Sequence, residues 1–217
     1  MTKVKLTSPR HLYVDLCFTI VKENTTYTFI KYVIKSEGTT LHKFLYTLYM
    51  SKFFSIWQRI IRSQNYNRTT LLLNLIAGFK KDILEAHAMQ YAKRALSFNA
   101  RDEVIKMIND AKNRQDDVTI LSASIDPVVK AFSDILSVDY RCSTLEYNNN
   151  LATGALNFDM SGLKSLHVTN STHTTMITDN FEDIEMQSKI SEFYIVLNHP
   201  SHKKFWQVIN NVKGFIS

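Results

Sequence analysis

Glycine and proline are scarce in this chain, five and three among 217 residues, which excludes collagen-like, Pro-rich and low-complexity architectures. Two cysteines, Cys17 and Cys142, are too few for a disulfide framework or a zinc signature, so a reducing compartment is expected. No uninterrupted apolar run reaches the ~20 residues of a transmembrane helix. The first nine residues lack the apolar stretch of a signal peptide, and the nearest candidate, Leu12–Val21, is interrupted by Asp15. A cytoplasmic protein is the expectation. On that reading the Asn-x-Ser/Thr triplets at Asn24, Asn67 and Asn170 are chance matches, because glycosylation needs the secretory route. Also missing is any run of five basic residues, so the net charge of +6 reads as scattered lysines and arginines rather than a nucleic-acid patch.

What is present is enough apolar sequence, 45%, to build a sizeable core. The length suits one domain with an inserted subdomain. Aromatic residues make up 12%, but they interleave with apolar positions rather than with a basic face. Nucleic acid is therefore not an expected partner. The histidines show no metal-ligand spacing.

Along the chain, His11–Val21 reads as a buried strand that delivers Asp15. Residues 26–35 fit strand and helix equally well by periodicity. From Leu41 to Ile61 apolar and aromatic residues recur in steps of three and four (Phe44, Leu45, Leu48, Tyr49, Phe53, Ile56, Trp57, Ile60), predicting one long helix. A polar linker at 64–68 precedes a second helical stretch, Thr69–Ser97, with a break at Gly78. After Asn99 the pattern changes. An amphipathic helix over 101–114, a strand at 117–121 and a helix from Pro127 to Leu136 follow one another. Short strands then flank an Asn148–Asn150 turn, and a helix is predicted from Lys164. Strands at 174–178 and 193–197 precede a last helix near Ser201. Strand–helix alternation of this kind predicts a parallel sheet covered by helices on both faces.

Four patches carry chemistry. Asp15-Leu-Cys17-Phe-Thr19 sets a carboxylate at a strand end, where open α/β folds build active sites. Ser122, in Ile120-Leu-Ser122-Ala-Ser124, is a hydroxyl at the tip of a buried strand. Lys164 follows Gly162-Leu. Asp179 and Asp183 sit four apart just after a strand. Taken singly these are caps, turns and solvated charges.

Together, in this order and at these spacings, they resemble the haloacid dehalogenase superfamily, and most closely its phosphoserine-phosphatase-like branch with a helical cap. The resemblance covers about residues 11–208. Leu121-Ser-Ala-Ser-Ile-Asp-Pro, Ala152-Thr-Gly154, Gly162-Leu-Lys164 and Val196-Leu-Asn198-His-Pro200 are similar to secondary features of that branch. It implies an α/β, Rossmann-like, doubly wound parallel sheet formed by residues 1–35 and 99–217, with residues 36–98 inserted as a helical cap. It implies Asp15 as a nucleophile that forms an aspartyl-phosphate. Mg2+ would be held by the Asp15 carboxylate, the Cys17 backbone carbonyl and Asp179. Asp183 would bind the ion through water or hold Lys164. Ser122 and Lys164 would hold the phosphoryl oxygens, Thr19 would orient the loop, and a small phosphorylated metabolite would be the substrate.

One position departs from the pattern. The family's first motif is usually Asp-x-Asp-x-Thr, and Cys17 stands where its second Asp acts as general acid and base. That assistance is typically worth about 10²–10⁴-fold, and a thiol with a pKa near 8.5 is a weak substitute. Three readings follow: a Mg-dependent phosphomonoesterase working without that acid, a phosphate-binding or regulatory protein with little turnover, or a dehalogenase-like hydrolase. The first is preferred. A redox switch at Cys17 is set below the simpler reading of a small residue tolerated in the loop. The aromatic helix 41–61, with Lys43, Lys52, Arg59 and Arg62, offers an apolar pocket wall or a membrane-facing surface. The preferred reading for it is a core helix packed on the stretch 69–97.

Overall fold

The computed structural model describes residues 10–54, 56, 67–169 and 173–217. Seven strands form one sheet in the order β4-β3-β2-β1-β5-β6-β7. They are β1 (His11–Val14), β2 (Asp117–Ile125), β3 (Asp139–Asn148), β4 (Leu151–Phe158), β5 (Thr174–Thr178), β6 (Glu192–Val196) and β7 (Val212–Ile216). All neighbours are parallel except the β3–β4 hairpin. Its turn places Asn149 and Asn150 at φ of 49° and 66°, the left-handed conformation that asparagine tolerates best after glycine.

The central strand β1 explains the layering. Leu12 and Val14 enter one apolar cluster with Ile120, Ile177 and the main helices, whereas Tyr13 enters a second with Leu121, Met176, Phe193 and Trp206. Successive side chains of a strand point to opposite faces, so β1 is covered on both sides, as a parallel strand requires. The helices are α1 (Thr25–Glu37), α2 (Thr40–Met50), α3 (Arg68–Asn74), α4 (Lys81–Asn99), α5 (Asp102–Asn113), α6 (Asp126–Leu136) and α7 (Lys203–Trp206). The first cluster takes in α1 to α6. The second face is covered mainly by short 3-10 turns and by Trp206 of α7, so the helical layers are unequal. Among the described residues no helix is long and apolar enough to cross a membrane.

The ambiguous segment 26–35 is helix α1. Asn24 caps it by accepting from Tyr27 N at 3.0 Å, and Phe29, Ile30, Val33 and Ile34 are all buried. The break near Gly78 (φ 81°) separates α3 from α4. Gly154 has φ 86°, and a Cβ there would sit 2.8 Å from Asn74 Oδ1. The hairpin therefore passes α3 at a distance only glycine permits.

Three expectations need correcting. The single helix predicted over 41–61 is interrupted. Helix α2 ends at Met50, Ser51 is extended (ψ 156°), and its Oγ accepts from Phe54 N at 3.2 Å to start a new helical turn. A serine that caps the next turn competes with continuation of the previous one. The part of this prediction at 57–61, with the polar linker at 64–66, lies outside the described residues. Nor is the described part of the aromatic segment a core helix: Phe53 is 84% and Phe44 62% exposed, while Tyr46 and Phe54 are the buried members among the described residues. Tyr46 is pinned by its hydroxyl, which donates to Tyr27 O at 3.2 Å. Aromatic residues on all sides of α2 concealed which side packs. The helix predicted from Lys164 is one 3-10 turn (Lys164–His167). The last helix is short, and β7, not foreseen, follows it.

Candidate active site

Asp15, Ser122 and Asp179 meet because β1 lies between β2 and β5, with Val14 level with Ile120 on one side and Ile177 on the other. Asp15 comes one residue, and Ser122 and Asp179 two residues, past that level row. Asp15 and Asp179 emerge just after their strands, whereas Ser122 lies within β2, which runs on to Ile125 instead of ending before it as the sequence suggested. With Cys17 and Lys164 they line one cavity of about 400 Å³. The sequence-predicted residues Asp15, Cys17, Ser122, Lys164 and Asp179 thus share a single site. Thr19 and Asp183 support it from behind.

The Asp15 carboxylate is held at both oxygens. Leu16 N donates to Oδ1 at 2.6 Å, and Lys164 Nζ reaches Oδ2 at 2.7 Å. Lys164 also donates to Asp183 Oδ2 at 3.0 Å, and Thr178 Oγ1 donates to that same oxygen at 2.6 Å. All three charged groups are buried: Asp15 is 5%, Lys164 7% and Asp183 4% exposed. Burial works against the Lys164 ammonium, but Asp15 and Asp183 outweigh it and hold its pKa above the ordinary lysine value. Burial, with Asp15 adding to it, pushes Asp183 up to about 6 although Lys164 pulls the other way. Of the two roles open to Asp183, its hydrogen bonds are those of a residue that holds Lys164.

Asp179 is oriented differently. Thr19 Oγ1 donates to its Oδ1 at 2.9 Å and accepts from its backbone N at 3.0 Å. Asn198 Nδ2 donates to Oδ2 at 2.8 Å, and Arg101 Nη2 in turn donates to Asn198 Oδ1. Burial and the negative charge of Asp15 push the Asp179 carboxyl up to about 7. Arg101 carried no sequence signal. It follows α4 and is drawn in because its Nε also bonds Phe18 O, on the strained turn where Phe18 takes φ 52°.

Cys17 sits apart from these two networks. Its Sγ lies 3.0 Å from Thr25 Oγ1 and 3.0 Å from Ser124 Oγ, and Thr25 N donates to it at 3.3 Å. The two hydroxyls are 2.6 Å from each other. Burial, and then Asp15, raise the thiol above its usual range; the bonds from Ser124 and Thr25 only moderate this. The group is a neutral thiol at physiological pH.

The donor set bears on a cation. Asp15 and Asp179 present hard oxygen atoms to the same cavity, and the rise at Asp179 comes first from burial and then from the negative charge of Asp15. Among the described residues no group of three or more His, Cys, Asp or Glu forms a ready cage. Two carboxylates and room for water fit magnesium, which keeps several waters, better than calcium or zinc.

Comparison with known proteins agrees with this geometry. The family model of haloacid dehalogenase-like hydrolases matches residues 15–173. A sequence search of curated proteins finds no match. Among solved structures, a Bordetella pertussis Tohama I protein of unknown function superposes with a TM-score of 0.75 at 11% identity, covering 97% of this chain and 99% of that one. A phospho-aspartyl intermediate analogue of phosphoserine phosphatase gives 0.59 at 16% identity, covering 97% and 94%. Cytosolic 5'-nucleotidase IIIB bound to cytidine gives 0.59 at 15%, covering 94% and 80%. Likeness at such identity establishes the fold.

Proposed function

This chain belongs to the haloacid dehalogenase-like hydrolases, and from that premise we propose that it is a magnesium-dependent phosphomonoesterase acting through an aspartyl-phosphate on Asp15. The observation that carries this reading is the buried Asp15–Lys164–Asp183 array, whose Asp15 and Lys164 share one cavity with Asp179. A carboxylate held at both oxygens is pre-aimed, and its attack on phosphorus forms the Asp15 O–P bond as the bond to the leaving alcohol breaks. Lys164 and Ser122 hold the phosphoryl oxygens, and the lysine charge offsets two anions brought together. Asp15, Asp179 and the Cys17 carbonyl would hold magnesium, which when bound supplies charge neutralisation at the phosphoryl group. Water then attacks the same phosphorus, the Asp15 O–P bond breaks, and phosphate leaves. Residues 36–98 act as a cap, and Asn67 and Thr69 from that segment line the cavity.

A second reading is favoured by the Cys17 contacts. Burial and the neighbouring Asp15 keep the Cys17 thiol neutral, and a neutral thiol is poorly suited to protonate a leaving alcohol or to activate water, so the chain would bind phosphate and magnesium with little turnover. A screen of phosphomonoesters with and without magnesium, with Asp15→Asn as control, separates the two. Magnesium-dependent phosphate release that vanishes in the control supports the esterase. Binding of phosphate and magnesium with no release from any ester replaces it with the binding protein.

A further inference from the structure

Beyond the phosphate machinery and Asp159, the described residues that line the cavity are uncharged. Asn24, Asn67 and Asn180 line it, and each carboxamide has its oxygen fixed by a backbone N–H. Tyr27 N donates to Asn24 Oδ1 at 3.0 Å, Thr69 N to Asn67 Oδ1 at 3.1 Å, and Glu182 N to Asn180 Oδ1 at 3.1 Å. Those bonds settle which end of each amide is oxygen. They leave three –NH2 groups with no partner among the described residues. Tyr27 and Thr69, joined hydroxyl to hydroxyl at 2.9 Å, tie the α1 and α3 sides of this wall together.

The charges argue in the same direction. Among the described residues that line the cavity, the acids are Asp15, Asp159 and Asp179, and the one base is Lys164. That lysine is already engaged by Asp15 and Asp183. A substrate bearing a second anionic group would enter a negative cavity with no free cation among the described lining residues to meet it. A neutral body that offers hydroxyl or carbonyl oxygens would satisfy the amides at no such cost.

We propose that the substrate is a neutral hydroxylated organic phosphate whose oxygen atoms are held by Asn24, Asn67 and Asn180, and not a phosphorylated amino acid or carboxylic acid. This rests on the esterase reading, because it takes the phosphate to sit at Asp15. The test is calorimetric binding to the non-turning-over Asp15→Asn protein with magnesium present, using inorganic phosphate, glycerol 2-phosphate, ribose 5-phosphate, phosphoserine and 3-phosphoglycerate. The neutral esters are expected to bind about ten-fold or more tightly than phosphoserine and 3-phosphoglycerate. Asn24→Ser and Asn67→Ser, made in the same background, keep a helix-capping side chain and remove the amide. Each is expected to weaken ribose 5-phosphate roughly 3- to 10-fold, the span of one hydrogen bond, with inorganic phosphate shifted less than about two-fold. Phosphoserine or 3-phosphoglycerate binding as tightly as the neutral esters overturns the inference, as does an unchanged affinity in both serine variants; in either case phosphate binding still stands. Absence of binding by phosphate and by every ester overturns the esterase reading and this inference with it.

Discussion

Replacing Cys17 by Asp restores the carboxylate that the family pattern places there, and the site allows the consequence to be worked out. The new side chain would meet Thr25 N and the hydroxyls of Thr25 and Ser124, all within 3.3 Å of the present sulfur. Burial and Asp15 raise Cys17 and also lift Asp179 to about 7. The same two causes would lift the introduced carboxyl toward neutrality and keep it protonated when substrate arrives. That is the state a general acid needs. Assistance of about 10²–10⁴-fold corresponds to roughly 3–5 kcal/mol of barrier at 1.36 kcal/mol per decade. The gain should depend on the leaving group. For alkyl phosphates, whose alkoxide needs a proton, kcat/KM is expected to rise at least about 100-fold. For aryl phosphates with acidic phenols the rise should be under about ten-fold. The assay is initial-rate phosphate release across a series of leaving groups, at saturating magnesium, for wild type and Cys17→Asp. A folded, magnesium-binding variant with unchanged or lower activity on alkyl phosphates would refute the idea that residue 17 is where the acid is missing.

Further outcomes follow from the two networks. Lys164→Met removes the cation between two buried carboxylates, and breaking a buried pair in this way should cost about 3–5 kcal/mol of stability, read as a lower denaturant midpoint at pH 7.5. Asn198→Ala removes the bond to Asp179 Oδ2 and leaves Arg101 without that partner; the magnesium concentration for half-maximal activity should rise about 10- to 100-fold, with the Tm in magnesium-free buffer shifted far less. Asp179 and Asp183, held at about 7 and about 6, give the metal-free protein an unusual pH dependence. Their folded pKa values lie above the ordinary carboxylate value, so the protonated forms favour the native state. That stability is fully present below about pH 4 and is lost as pH rises through 6 to 7. For Asp179 alone the loss is at most about 4 kcal/mol, and less after screening by solvent at this half-buried group. Thermal melts should therefore show magnesium raising the Tm more at pH 8 than at pH 5; an equal rise at both would count against a cation between Asp15 and Asp179.

Much of this site was legible because its chemistry lies at strand ends. Asp15 and Asp179 could be assigned because each comes just after an apolar strand, whereas Ser122, read as a strand tip, lies inside β2 and reaches the site by register. Lys164 could be assigned from its order in the chain. What the sequence hid depends on side chains that reach across elements. Arg101 and Asn198 lie almost a hundred positions apart and meet because Arg101 is bonded to the turn after β1 while the order β1-β5-β6 brings the segment after β6 to the same edge of the site. Thr25 and Ser124 read as ordinary hydroxyls until α1 brings one of them under Cys17. The aromatic segment failed for a different reason. Helical periodicity marks an apolar face, but α2 is apolar and aromatic nearly all round, and its packing is decided by Tyr46 finding a carbonyl in α1. Helix α1 itself was ambiguous because its buried apolar residues come in short pairs, Phe29-Ile30 and Val33-Ile34, that fit a helix face and a short strand alike.

The networks also explain why the fold tolerates the departure at position 17. The ion pairs run through Asp15, Lys164 and Asp183. The support of Asp179 runs through Thr19, Asn198 and Arg101. Neither uses the side chain at 17, whose polar contacts are with Thr25 and Ser124. Those two hydroxyls already satisfy each other at 2.6 Å, so a small thiol beside them leaves no buried donor stranded and creates no new charge. A carboxylate there would be a third acid facing one ammonium, a load the metal-free site would carry only by protonation. Cysteine at 17 therefore relaxes the electrostatics of the metal-free site while leaving Asp15 and Lys164 in position. For that reason the substitution bears on the rate and the choice of leaving group far more than on the fold.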